Sequence, residues 1–168
     1  MTRRRLVLAS ASALGAALLA GCGFELRRAP ELPFSTVHLN GDARSPLLIE
    51  LRRAIASIGN VRVVDPAEAA AAQVILDVLQ NQRERVVVGV GTAGQVREFQ
   101  LRVRFRFRLR SRTGEELIAP TELLQQRDIS YSESAALAKE AEEQLLYRDM
   151  QSDVVQQTLR RLAAVKSI

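Results

Sequence analysis

The sequence predicts an α+β domain: a mostly antiparallel sheet organised around one long central hairpin, packed against helices, the last of them long and C-terminal. Three observations predict it. Between Val96 and Arg110, Phe99, Leu101, Val103, Phe105, Phe107 and Leu109 alternate with Gln100, Arg102, Arg104, Arg106, Arg108 and Arg110. A period of two sends these sets to opposite faces of a strand. A second long extended stretch, Gln73 to Val88, precedes it across the glycine-rich Gly89 to Gln95, which is the pattern of a hairpin. From about Ser134 to Val165 the apolar residues recur at helical spacing instead.

Taken in chain order, the first element is a leader. Arg3-Arg4-Arg5 precedes an apolar run from Leu6 to Ala20, the order of a signal peptide and short of the ~20 residues that span a bilayer. The run ends in Leu19-Ala20-Gly21-Cys22, which looks like the lipobox of bacterial lipoproteins. Small residues at Ala20 and Gly21 let an extended backbone enter a peptidase site. The thiol of Cys22 can then carry a thioether-linked lipid. Residues 1–21 are therefore expected to be removed and Cys22 to become the acylated N-terminus. Two or more acyl chains such as palmitate, at ~0.8 kcal/mol per buried CH₂, hold a protein stably on a membrane. Gly23 rather than Asp follows the cysteine; by similarity to lipoprotein sorting rules this favours the outer membrane. Thr2-Arg3-Arg4-Arg5-Leu6 also faintly resembles a twin-arginine signal, so the export route stays open.

Residues 22–35 hold Pro30 and Pro33 without periodicity and read as the lipidated N-terminus and tether of a domain spanning 36–168. Thr36 to Leu39 is a short strand ended by Asn40-Gly41. Ser45-Pro46 opens a helix, serine as cap and proline in the first turn. Leu47, Leu51, Ile55 and Ile58 form its apolar stripe, and Gly59 stops it. Val61 to Val64 is another short strand, and Ala-rich 67–72 one helical turn. After the hairpin, Thr113-Gly114 turns the chain into a weaker strand near Glu122 to Tyr131. On the last helix, Leu137, Ala141, Leu145, Val155, Leu159 and Leu162 make a main stripe. Leu146, Met150 and Val154 make a second line, either core under a loop or a partner surface.

The residue inventory excludes several functions. The formal charge is +5, but the only charges before Cys22 are three arginines, so the processed chain is near balance. That argues against a nucleic-acid binder. One cysteine and one histidine, Cys22 and His38, allow no intrachain disulfide and no Cys/His metal cluster. No catalytic constellation surrounds His38, which reads as a strand residue with a satisfied ring, and no enzyme, metal or dissociable cofactor is expected. Gly89-Val90-Gly91-Thr92-Ala93-Gly94 matches G-x-G-x-x-G, but a strand follows it where a dinucleotide site needs a helix N-terminus. Glu115, Glu116, Glu140, Glu142 and Glu143 read as solvated charge. The arginine row remains, with side chains about 7 Å apart. Its planar forks suit phosphate or carboxylate, and an antiparallel sheet with one wet face suits them equally. Glu84 on the neighbouring strand is a natural partner.

Cys22-Gly23-Phe24-Glu25-Leu26-Arg27 is similar to the mature start of the lipopolysaccharide-assembly lipoproteins of the LptE family. Further stretches agree in order: Pro46-Leu47, Gly94-Gln95 with Glu98-Phe99-Gln100, Ala136-Leu137-Ala138-Lys139, and Leu159-Arg160-Arg161-Leu162. The resemblance covers nearly all of the chain beyond Cys22. It implies two helices packed on one face of a mostly antiparallel, about four-stranded mixed sheet. It implies a non-enzymatic lipoprotein that plugs the outer-membrane barrel LptD, assists its assembly and binds lipopolysaccharide. Lys139 matches a basic contact to lipopolysaccharide. Thr92 stands where the family has an arginine, and Arg97 lies close enough to substitute. Arg102, Arg104, Arg106 and Arg108 are the remaining candidates, for lipopolysaccharide phosphates or for a polar barrel lumen. The alternative is a free-standing, periplasm-facing lipoprotein that binds an anionic ligand through the same face.

Overall fold

The computed structural model describes residues 31–166. The expected leader, Cys22 and most of the tether lie outside them. Among the described residues the order is β1 (Thr36–Asn40), α1 (Pro46–Ala56), β2 (Arg62–Val64), β3 (Val74–Val90), β4 (Val96–Ser111), β5 (Glu116–Ser130) and α2 (Ala136–Ala163). Short 3-10 helices occupy Pro66–Ala71, two turns long where the sequence suggested one, and Glu133–Ala135.

The strands form one mixed sheet in the order β2-β1-β3-β4-β5. β1 runs parallel to both β2 and β3, whereas β3, β4 and β5 are antiparallel. The sheet thus has five strands, not about four. The extra one is the three-residue β2, which lies at an edge beside β1. β1 covers β3 only from Val74 to Asp77. Beyond that point three strands continue alone toward the hairpin turn, where Gly94 adopts a positive φ of 79° that costs a glycine nothing. No helix begins there, so the glycines shape a turn.

Local chemistry explains the element ends. The hydroxyl of Ser45 accepts from Leu48 N–H, Pro46 fills the first turn of α1, and Gly59 has a φ of 86° just past its end. β5 starts six residues before the expected Glu122. Pro120 sits in it because β5 is an edge strand. The pairing with β4 slips between Phe107 and Leu109, opposite Ala119-Pro120, where the missing N–H interrupts the ladder.

Both helices cover one face. Leu101, Val103, Phe105, Phe107 and Leu109 of β4 are all at most 1% exposed. They join Val37 and Leu39 of β1, Leu51 and Ile55 of α1, and Met150, Val154 and Leu162 of α2 in one core. Each such side chain contributes about 1.5–3 kcal/mol by leaving water. Leu32 and Phe34, placed by sequence in the tether, are also buried in this core. The domain therefore starts before residue 36.

On α2 the expected main stripe packs only in its C-terminal half. Leu137 and Leu145 are 85% and 53% exposed, and Ala141 is exposed as well. Met150 and Val154, the second line, are buried instead, along with Tyr147, Gln151 and Thr158. The buried stripe keeps helical spacing but includes three polar-tipped residues that an apolar-only reading passes over. Among the described residues no helix is long and apolar enough to cross a membrane.

Candidate functional site

The alternation of β4 puts Arg102, Arg104, Arg106, Arg108 and Arg110 on the face of the sheet away from the helices. The pairing register sets Asp77 and Glu84 of β3 directly opposite Arg108 and Arg102. Opposed residues on antiparallel strands share a face. The carboxylate of Asp77, its side chain only 7% exposed, lies 2.9 Å from Arg108 Nε and 2.8 Å from Arg110 Nε. It also accepts from Asn40 Nδ2 at 2.7 Å. Burial alone raises the pKa of Asp77, but hydrogen bonds from Arg110, Asn40 and Arg108 outweigh it and hold the value at about 2. Glu84 lies 4.0 Å from Arg102 and 3.5 Å from Arg104, and Glu122 of β5 is 2.6 Å from Arg104. Among the described residues Arg106 has no ion pair or side-chain hydrogen bond, and it is exposed. The row is thus largely neutralised within the sheet.

Lys139 is on the other side. It projects from the first turns of α2, its Nζ 3.0 Å from Ser130 Oγ and 2.9 Å from Glu142 Oε2. Beside it lies a cleft of ≈ 280 Å³, with Arg85, Phe99, Tyr131 and Glu143 among the lining side chains. The Arg85 guanidinium stands 3.7 Å from the centre of the Phe99 ring. Its Nε is 3.5 Å from Glu143 Oε2. Phe99 and Tyr131 meet edge to face at 5.2 Å. Arginine over an aromatic face is attracted by the ring quadrupole, and this fixes the fork at the wall of the cleft. Tyr147 supports the site from behind, its hydroxyl donating to the Glu84 carbonyl at 2.7 Å. Its pKa is raised, first by burial and then by Glu143.

The sheet therefore divides the six basic residues singled out by sequence. Arg102, Arg104, Arg106 and Arg108 occupy the open face. Lys139 stands at the cleft, and alternation puts Arg97 on that same helix side, beyond Phe99. Arg97 is exposed, its carbonyl accepting from Tyr131 N–H at 2.7 Å, but it does not line the cleft. Thr92 is an exposed turn residue. The reading of Glu143 as solvated is corrected: it is paired with Arg85 and its side chain is only 15% exposed. Glu142 is exposed as expected and pairs with Lys139.

Sequence reasoning missed Arg85, Phe99 as a cleft-lining ring, and Tyr131. A signal was present. The register pairs Arg85 with inward-facing Leu101, so a period of two along β3 carries a cation to the packed side. Such a violation of patterning is characteristic of functional positions. His38 is a buried strand residue with Nδ1 3.3 Å from the Val64 carbonyl oxygen, as its position in a strand suggested. Among the described residues no group of His, Cys, Asp and Glu could hold a metal ion.

Comparison with known proteins adds three findings. The sequence model of the family LptE, described as lipopolysaccharide-assembly, matches residues 34–162. The LPS-assembly lipoprotein LptE of Pectobacterium atrosepticum is 29% identical over 157 residues, covering 90% of this chain and 83% of that protein. The solution structure of an uncharacterized lipoprotein B from Nitrosomonas europaea superposes with a TM-score of 0.72 at 36% identity, over 84% of this chain and 91% of that one. The rare lipoprotein B of Shewanella oneidensis shares the fold, with a TM-score of 0.63 at 24% identity, over 77% and 95% of the two chains.

Proposed function

This chain belongs to the lipopolysaccharide-assembly family LptE, and on that premise we propose that it is a lipid-anchored, non-enzymatic subunit of the lipopolysaccharide translocon. Lipid on Cys22 tethers it to the outer membrane. The folded domain plugs a β-barrel of the LptD type, assists its assembly and meets lipopolysaccharide on its way to the outer leaflet. It faces the periplasm and the barrel lumen, and nucleic acid is no partner. The observation that carries this reading is the distal cleft, where Lys139 and Arg85 stand beside one aromatic wall. Lipid A carries phosphates, and two cations on a rigid framework suit them. The open arginine face fits a different task. With most of its charge matched by Asp77, Glu84 and Glu122, it is polar without being a strong anion sink, as a surface within a polar barrel lumen requires.

Detergent extraction of the native protein tests the assignment. Copurification with an LptD-type barrel, and a mature N-terminus at an acylated Cys22 by mass spectrometry, are the expected results. A monomer with no barrel partner would favour a free-standing anion-binding lipoprotein. At the cleft, Lys139→Glu should weaken lipopolysaccharide binding by about tenfold, the scale of one lost charge-assisted contact, with the thermal midpoint unchanged. Equal binding by both proteins at low and moderate salt would remove Lys139 from the site.

A further inference from the structure

The cleft holds its cations in an already occupied state. Lys139 is bound by Glu142 at 2.9 Å, and Arg85 is within 3.5 Å of Glu143. Both carboxylates come from the same helix as Lys139; Glu143 and Glu140 line the cleft, and Glu142 reaches Lys139 from outside it. Two cations thus have three carboxylates around them, which is not the composition of a general anion trap. We propose that Glu142 and Glu143 are specificity-determining residues: they act as internal competitors that admit a lipid-borne phosphomonoester and reject a phosphodiester. This rests on the reading of the cleft as a lipopolysaccharide site.

The argument is one of relative charge. An incoming phosphate must take Arg85 and Lys139 from the carboxylates they already hold. A phosphodiester brings one negative charge, no more than a carboxylate offers. A phosphomonoester carries about −1.5 to −2 near neutral pH and three strong acceptor oxygens, so it engages both cations at once and outcompetes both glutamates. Specific sites separate related ligands with repulsive elements of this kind as well as with added attraction. The fixed geometry of Arg85 on Phe99 keeps its fork at the cleft wall when Glu143 is displaced. Val87, 47% exposed, stands two residues along β3 from Arg85 on the same face, opposite Phe99. It gives a lipid an apolar foothold that a free phosphate ion would not use.

The test measures binding of the folded protein to phosphatidylcholine vesicles doped with either lipid A, a phosphomonoester lipid, or phosphatidylglycerol, a phosphodiester lipid. The wild type is expected to prefer lipid A. Glu143→Gln, close to isosteric, should raise phosphatidylglycerol binding and narrow the preference by about fivefold, the upper end for a partly exposed ion pair. Glu142→Gln should act in the same direction. Arg85→Gln should weaken both vesicle types, with Arg85→Lys restoring part of the loss. A destabilised variant would bind less to everything, whereas the expected change is a gain. Inorganic phosphate at a concentration matching the lipid A phosphates should leave lipid A binding intact. Displacement there would overturn the lipid-borne part of the inference. A preference unchanged in both glutamate variants, with lipid A still bound, would overturn the competitor role while sparing the lipopolysaccharide reading. A wild type that binds no lipid A would overturn both.

Discussion

The central hairpin carries arginines on both faces, and the two sets are held by different parts of the molecule. On the open face the partners of Arg102, Arg104, Arg108 and Arg110 are Glu84, Glu122 and Asp77, all on strands flanking β4. They stand in a ladder whose spacing is set by backbone hydrogen bonds. On the helix side the partners of Arg85 and Lys139 are Glu143 and Glu142, all gathered where the first turns of α2 cross the hairpin. A carboxylate locked in a sheet next to two arginines stabilises the fold and is hard to displace. A carboxylate on the rim of a cleft is exchangeable. On the proposed reading the same residue types serve structure on one face and recognition on the other, and the element that carries the partner, flanking strand or crossing helix, separates the two.

The largest effect belongs to neither charge set but to the layer that both depend on. Phe105 is fully buried and its ring stacks 5.5 Å from Phe107. Phe105→Ala should cost about 3–5 kcal/mol in chemical denaturation, and a smaller loss would mean that the helices, not the hairpin, anchor the core. Next comes Asp77. Its folded pKa of about 2 lies below the ordinary 3.8, so its contribution is fully present above pH ~4 and is lost as pH falls through about 2. By linkage it is worth roughly 2 kcal/mol. Asp77→Asn should lose about that much at neutral pH. The stability gap between wild type and variant should close on acidification, since the protonated wild-type carboxyl then resembles the amide. A gap that persists unchanged at pH 2 would refute the charge-based account of the open face.

The same contrast shows what the sequence made legible. The alternation of β4 was readable because every second residue is large and apolar, and the buried side of a sheet enforces that pattern. Glu84 was identifiable as a partner, being one of two acids on the strand beside the row of arginines, whereas Asp77, the other and the more heavily engaged, was not singled out. The cleft was not legible, because its walls come from β3, β4, β5 and α2, and no local period joins Arg85 to Glu143 across 58 positions of chain. Lys139 came from family resemblance alone. The α2 stripe was misread for a related reason. Thr158 satisfies its hydroxyl on the Val154 carbonyl of its own helix, but Tyr147 and Gln151 are buried through hydrogen bonds to other elements, Gln151 accepting from Arg83 Nη2 and donating to Glu50, each at 2.6 Å. Such partners are fixed only after the elements pack.

Arg106 gives the smallest expected effect on stability and the sharpest test of what the open face is for. It is the exposed member of the row without an ion pair among the described residues, because Glu122, its register partner, turns to Arg104 instead. Replacing it removes no buried partner, so Arg106→Glu should change the unfolding free energy by no more than about 0.5 kcal/mol. If the open face lies against a barrel lumen, reversing this charge places a carboxylate against a surface selected to accept a guanidinium. Like-charge or unpaired contacts at an interface penalise association directly. Less barrel should then copurify with the variant, while binding to lipid A vesicles stays at the wild-type level because the cleft is on the other side of the sheet. Full barrel recovery with Arg106→Glu would leave the row as an ordinary solvated face. Loss of lipid A binding would mean that the two faces communicate, which a rigid sheet between them opposes.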